Sequence, residues 1–348
     1  MKTSDLVDFS PKKLGLLLLC GALLFTGSAM LFQQLKVVYW GDGEFRLTIP
    51  TGLNFRLLQG QTSELQGAFS VDSVGNYTFQ RDGKDAFSLL LAHYKDAQSQ
   101  QHRAVLYPKT QQEGSTSTNP TDLRHSIWQE AGQAISQNTP KDALILSWWD
   151  DGQRAHFLSG RKAWISKPSS ETFISPMWKS LRDNLLLASD PERERLSNMA
   201  RWLTMDCDKA LGEIRKSFGA SRPIYLLVTN DLLMRLAEMV DYGGTPLSLS
   251  SKFVPAHDDL HGDIAQVKQW AYEEGSGNYL VQKEGLHYHV WATPNASATE
   301  NHALLVRLLP FVDSLKTLPE YVTLVYQSHW GGYLSIYKID LERSKSPT

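Results

Sequence analysis

Trp148, Trp149, Asp150, Asp151 and Gly152 stand together in the block SWWDDGQRAHFLSGR, with Arg154 and Arg161 further along it. Carboxylates accept charge-assisted hydrogen bonds from hydroxyls or cations, and an aromatic wall beside them packs aliphatic groups. That is the chemistry of a recognition site. For it, Asp150 has to face solvent at the edge of a supporting element. The run Asp142 to Trp148 is short, apolar and bounded by the turn signal Thr139-Pro140-Lys141-Asp142, so it reads as a buried strand. The residues after Gly152 read as a helix ending at Ser159-Gly160. An acid at this handover meets the unpaired N–H groups of a helix start. In open α/β sheets ligands bind at the carboxyl ends of strands. A plainer reading stays open, in which Asp150 or Asp151 is only an N-cap and the tryptophans are core. Two adjacent tryptophans cannot both face one side of a strand.

Two histidine groups could hold a metal. His257 and His261 lie in HDDLHGD and would share a helix face. Pro255 and Gly262 argue instead for a solvated acidic loop. His287 and His289 fall on one face of a strand, equally consistent with a half-exposed sheet. With His302 they could form a zinc or copper site, but nothing in the sequence brings them together. No cofactor is expected, and no catalytic residue is assigned. Ser159 sits in no nucleophile elbow, and neither a phosphate loop nor G-x-G-x-x-G occurs. Two cysteines, Cys20 and Cys207, exclude Cys₄ metal sites within the chain, and C-x-x-C-H is absent.

The elements that would carry these residues fall into an ordered series. Residues 1–36 read as a cytoplasmic tip and membrane anchor. Leu14 to Phe32 is uncharged and apolar behind Lys12 and Lys13. At about 1.5 Å per residue it nearly spans the roughly 30 Å hydrocarbon core, and the lysines put everything after it outside. A cleaved signal ending near Gly27-Ser28-Ala29 is the rival reading. Residues 37–107 alternate as strands around Asp42-Gly43 and Asp82-Gly83, a small β-rich lobe. Residues 108–138 are a polar linker and a short helix, His125 to Gln137. From 139 to 341 strands alternate with helices. Strands are predicted near 142–148, 224–229, 321–327 and 333–339. Asp206 and Asn230-Asp231 read as helix caps, 245–262 reads as irregular, and a helix over 298–315 should be split by Pro310. This makes a three-layer α/β domain with a partly parallel sheet; 342–348 is a tail. The net charge of −2 and the lack of a basic stripe exclude a nucleic-acid binder.

SWWDDGQRAHFLSGR resembles the WWDYG signature of the oligosaccharyltransferase catalytic subunit, with Arg161 matching an arginine that closes its helix. LASDPERERLSNMARWL, IYLLVTNDL and SHWGGYLSIYKID extend the likeness across 140–341. Asp151 replaces the usual tyrosine, and the polytopic catalytic part is missing. What the resemblance implies is a soluble acceptor-binding module, with Trp148, Trp149 and Asp150 lining a peptide cleft. Over the whole chain, one N-terminal anchor and the block Trp148 to Arg161 with Trp164 resemble the HaoB family of ammonia- and methane-oxidising bacteria. That likeness implies an inner-membrane, single-pass, periplasmic accessory of hydroxylamine oxidation. It would bind a periplasmic partner, the multihaem hydroxylamine oxidoreductase or its cytochromes, rather than catalyse. The alternatives are an acceptor-binding subunit of a glycosyl-transfer system and a metal-binding periplasmic protein. The partner-binding candidates are Trp148, Trp149, Asp150, Asp151, Gly152, Arg154 and Arg161.

Overall fold

The computed structural model describes residues 37–38, 46–47, 53–58, 65, 67–81, 84–109, 120–168, 192–219, 222–284, 287–295 and 299–341. The expected anchor at 14–32 and tail at 342–348 lie outside them, as do residues 110–119 of the expected linker. Among the described residues no helix is long and apolar enough to cross a membrane. The chain divides into two compact units, 1–53 and 54–348. In the first, β1 (Val37–Val38) pairs antiparallel with β2 (Arg46–Leu47) on either side of Asp42-Gly43.

The second unit is a mixed α/β structure. A four-stranded sheet, all but Leu53 of it within this unit, has the order β3-β4-β5-β6: β3 (Leu53–Leu58), β4 (Val71–Arg81), β5 (Lys84–Lys95) and β6 (Gln101–Leu106). β4 and β5 pair antiparallel around Asp82-Gly83, and β5 and β6 around Asp96 to Gln100. Helix α1 (Pro120–Asn138) follows. It starts on a proline, which tolerates a first-turn position because its N–H would be unpaired there anyway. Ile127, Trp128, Ala131, Ala134 and Ile135 recur at helical spacing and are buried.

The strands read from the apolar runs do share one sheet. Its order is β13-β14-β9-β7-β8: β7 (Leu144–Leu146), β8 (Lys162–Ala163), β9 (Ile224–Thr229), β13 (Val322–Gln327) and β14 (Leu334–Ile339). β8, β7 and β9 pair parallel, while β14 pairs antiparallel with both β9 and β13, so the sheet is partly parallel. All six residues of β9 are buried, as a central strand with both faces covered requires. Helix α2 (Trp149–Ser159) leaves β7 and ends on Gly160 at φ +71°, a left-handed cap that glycine adopts without strain. Its Phe157 inserts among Leu90, Ala92, Tyr94, Ala104 and Leu106 of the four-stranded sheet. Burying one phenylalanine this way contributes roughly 1.5–3 kcal/mol. Helices α3 (Arg193–Thr204) and α4 (Cys207–Phe218) come next, the second capped by Asp206, whose side chain accepts from Lys209 N–H.

Three local expectations change. Asn230 to Arg235 forms a 3₁₀ turn before α5 (Leu236–Asp241), and no side chain caps it. Asp231 is engaged elsewhere. Residues 250–255 are not irregular but form β10 (Ser250–Pro255). It lies in a three-stranded antiparallel sheet, β10-β12-β11, with β11 (Tyr279–Glu284) and β12 (His287–Ala292). Between them α6 (Leu260–Glu274) is capped by Asp259, which accepts from Gly262 N–H. The acidic HDDLHGD run is therefore a helix start, not a loop. After it, α7 (Leu304–Leu308) stops short of Pro310, as the proline requires.

Candidate functional site

β7 ends at Leu146, two residues before the tryptophan pair. Trp148 is extended (φ −65°, ψ 159°) and Trp149 opens α2. Strand alternation therefore does not apply to them, and both indoles turn to one point. Each Nε1 donates to Glu238 Oε1 at 3.3 Å. Both side chains are fully buried. They form the wall of an interior cluster, not of a cleft open to solvent.

The acids are not N-caps. Asp150 Oδ2 accepts from Arg154 Nη2 at 3.2 Å and from Arg235 Nη2 at 3.0 Å. Asp151 Oδ1 accepts from Arg154 Nη1 at 2.8 Å, and Oδ2 from Thr229 Oγ1 at 3.0 Å. Arg235 Nη1 donates to Glu238 Oε2 at 3.0 Å. The spacing does the local work: Asp150 and Asp151 precede Arg154 by four and three residues, one helical turn. Asp231 accepts from Arg124 Nη2 at 2.9 Å and from the hydroxyls of Tyr107 and Tyr333. The Arg154 guanidinium lies over the rings of Tyr107 and Trp128, 4.7 and 5.3 Å from their centroids, where the ring faces favour a cation. Four carboxylates and three guanidiniums thus interlock at the carboxyl ends of β7 and β9. Asp150 and Asp151 are 6% and 2% exposed, so Asp150 does not face solvent. Exposure rises only at the rim, to 18% for Arg124 and 25% for Asp231.

Burial sets the proton affinities. It pushes Asp151 up to about 7, with the charge of Asp150 adding and Arg154 opposing. It pushes Glu238 up to about 7 against the pull of Arg235. For Asp231 burial is outweighed by Arg124 and the Tyr333 hydroxyl, which hold it below the ordinary carboxylate value. Burial opposes the charge on Arg154, but Tyr107, Asp150 and Asp151 together raise its pKa. The cluster can therefore exchange protons near neutrality at Asp151 and Glu238 while its arginines stay charged.

The sign of the resulting pH dependence follows. A carboxyl raised in the folded state binds more protons folded than unfolded, so its contribution is full below the unfolded pKa and is lost as pH rises through the folded one. Glu238→Gln should therefore gain roughly 3 kcal/mol on the wild type between about pH 4.5 and 8. Denaturant unfolding of both proteins at the two ends of that range checks it. A gap that does not change with pH would return Glu238 to an ordinary carboxyl.

Gly152 makes the handover possible. A Cβ there would sit 2.0 Å from the Ile165 carbonyl oxygen and 3.1 Å from Ser147 Oγ. Gln153 then straps α2 to both neighbours, accepting from Val105 N–H at 3.2 Å and donating to Ser166 O at 2.9 Å. Arg161 is not beside the acids. It follows the opposite end of α2 and donates to the carbonyls of Ser136 and Thr139, where α1 presents its unpaired carbonyls and negative dipole end. Burial holds His289 down to about 3, with its ring stacked on Phe253 and close to Trp291. His257 Nδ1 is taken by Asp263 at 2.7 Å. Neither pair joins a group of three potential ligands among the described residues; Asp96, His102 and His156 do.

Sequence reasoning singled out Asp150, Asp151 and Arg154 but not Arg235 and Glu238, which complete their hydrogen bonding. Arg235 and Glu238 border the apolar face Leu232, Leu236 and Met239 at helical spacing, and charges so placed were the available signal.

A family model described as HaoA-associated protein HaoB matches residues 13–339. No curated protein matches the chain. Among solved structures, the crystal structure of the C. jejuni PglB C-terminal domain is similar with a TM-score of 0.35 and 10% identity, over 62% of this chain and 98% of that one. Two chains so distant support no transfer of role from one to the other.

Proposed function

Because the chain belongs to the family of HaoA-associated protein HaoB, we propose that it is an accessory of hydroxylamine oxidation that acts by binding a periplasmic protein. The partner is HaoA, the multihaem hydroxylamine oxidoreductase, or one of its cytochromes. The observation that carries this reading is the extent of the family match, which runs from residue 13 to 339 and so takes in the apolar run 14–32, the four described sheets and the buried charge cluster. The reading includes an inner-membrane tether at residues 14–32 with the rest of the chain periplasmic. Its support is the uncharged apolar run behind Lys12 and Lys13.

Full-length protein carrying a C-terminal tag should co-purify the hydroxylamine oxidoreductase or its cytochrome from membranes solubilised in mild detergent. Co-purification of a polytopic glycosyltransferase instead would favour the acceptor-binding alternative, and recovery of neither would remove the partner reading. The topology is checked separately. A reporter active only after export, fused at the C-terminus, should be active. Activity confined to a cytoplasmic reporter would overturn both the tether and the periplasmic partner.

A further inference from the structure

The last turn of α2 meets a second cluster, separate from the charge network at its first turn. His156 meets Asp96 and His102 of the β5–β6 hairpin, with one potential ligand atom from each within 4.8 Å of the others. The hairpin prepares the carboxylate. Asp96 Oδ1 accepts from the backbone N–H groups of Gln98 and Gln100 at 2.9 and 2.8 Å. That pins the group and leaves Oδ2 facing His102 Nε2 at 2.9 Å. His156 is prepared as well. Its Nδ1 stands 2.8 Å from the Arg161 carbonyl oxygen. A carbonyl can only accept, so Nδ1 carries the proton and Nε2 the lone pair. Metal-ligating histidines are fixed in this way, by donating the other ring N–H to a carbonyl or carboxylate.

The surroundings are aromatic. Phe69 lies 4.9 Å from His156 and Tyr94 lies 5.4 Å from His102, centroid to centroid, and the two imidazoles are 5.0 Å apart. His102 and Asp96 keep 17% and 11% of their side-chain exposure, so the cluster has a way in from solvent.

We propose that Asp96, His102 and His156 form a binding site for a divalent transition-metal ion of borderline softness. The protein supplies two imidazole nitrogens and one carboxylate oxygen, a donor set that suits zinc, copper, iron and nickel rather than calcium or magnesium. Ligand atoms in a tetrahedral site with bonds of about 2.0–2.1 Å stand about 3.3 Å apart. A spread within 4.8 Å closes to that by small rotations of the two rings. Three protein ligands leave at least one position for water or a side chain from another protein, the pattern of reactive rather than closed structural sites. The ion takes the place of the hydrogen bond between His102 and Asp96, and His102 offers it the Nε2 lone pair once the ring proton sits on Nδ1.

This site goes beyond the partner reading and does not depend on it, since metal content and co-purification are read independently. Full-length protein stripped with a chelator is titrated with Zn²⁺ against a chromophoric competitor at about pH 7.5. The expected result is one zinc bound per chain. His102→Gln and His156→Gln should each weaken it by on the order of 100-fold or more, since even outer-shell changes cost 10–100-fold. His257→Gln/His261→Gln should leave it unchanged. No zinc binding by the wild type, or unaltered binding by His102→Gln/His156→Gln, overturns the proposal. Should those variants fail to fold, zinc K-edge absorption of the loaded wild type reads the donor set directly. Two imidazoles with oxygen donors support the site; fewer than two imidazoles, or any sulfur, overturns it.

Discussion

Replacing Gly152 with alanine should destabilise the protein by roughly 3 kcal/mol or more, although it puts the best helix former into the first turn of a helix. Propensity alone points the other way, since alanine in place of glycine within a helix is worth about 0.5–1 kcal/mol. What decides is the neighbour. The added methyl would lie 2.0 Å from a backbone carbonyl, that of Ile165, and backbone cannot swing aside as a flexible side-chain tip can. Relief requires α2 to move off Ile165, and α2 carries Asp150, Asp151 and Arg154 with it. The control is Gly212 in α4, around which an added Cβ meets nothing within 4 Å. Gly212→Ala should stabilise by about 0.5–1 kcal/mol. Thermal melting of the pair checks both. For a chain of 348 residues, at about 2.1 cal/mol/K of unfolding entropy per residue, a loss of about 3 kcal/mol lowers the midpoint by roughly 4 °C. Equal and positive effects at the two glycines would show that the contact with Ile165 carries no constraint.

Arg154→Met should cost roughly 3–5 kcal/mol, the range seen when one partner of a buried ion pair is removed. Asp150 would keep Arg235, but Asp151 would keep only the Thr229 hydroxyl. At 2% exposure Asp151 has no water to replace the guanidinium. The second substitution tells charge from packing. Asp151→Asn/Arg154→Met removes the stranded carboxylate as well, so it should be more stable than Arg154→Met alone. Residues in one network are not additive. Denaturant unfolding of both single variants and the double closes the cycle. A double-variant loss equal to the sum of the two single losses would mean that Arg154 acts only by filling space between Tyr107 and Trp128.

The long apolar runs made the central sheet legible. Ile224 to Thr229 is continuous because both faces of β9 are covered, and Leu144 to Leu146 for the same reason. Asp206 was legible as a cap because capping is local, set by the residues beside it. Other features depended on contacts far along the chain. Nothing near Trp148 and Trp149 says that a glutamate some 90 residues later will take both indole N–H groups. Asp231 looked like a cap by residue type, yet Arg124 and two tyrosine hydroxyls compete for it more strongly than the turn's own N–H groups. Arg161 looked like part of the site by proximity in sequence. A helix of 11 residues is about 16 Å long, which puts its two ends in different surroundings. A strand at His287 to His289 was legible, but its neighbour β10 was read as irregular because it is mostly exposed and carries little hydrophobic signal.

The interlocked charges also bear on how this sequence can drift over generations. Asp150, Asp151, Arg154, Arg235 and Glu238 come from two separate stretches of chain but share their partners. Losing any one strands a neighbour in the interior, whereas exchanging a whole buried ionic group for apolar residues of like volume is often neutral or favourable. Intermediates that change one member at a time must pass through a stability trough. Descendants of a common ancestor should therefore inherit the set intact or have lost it wholesale, with few chains caught between.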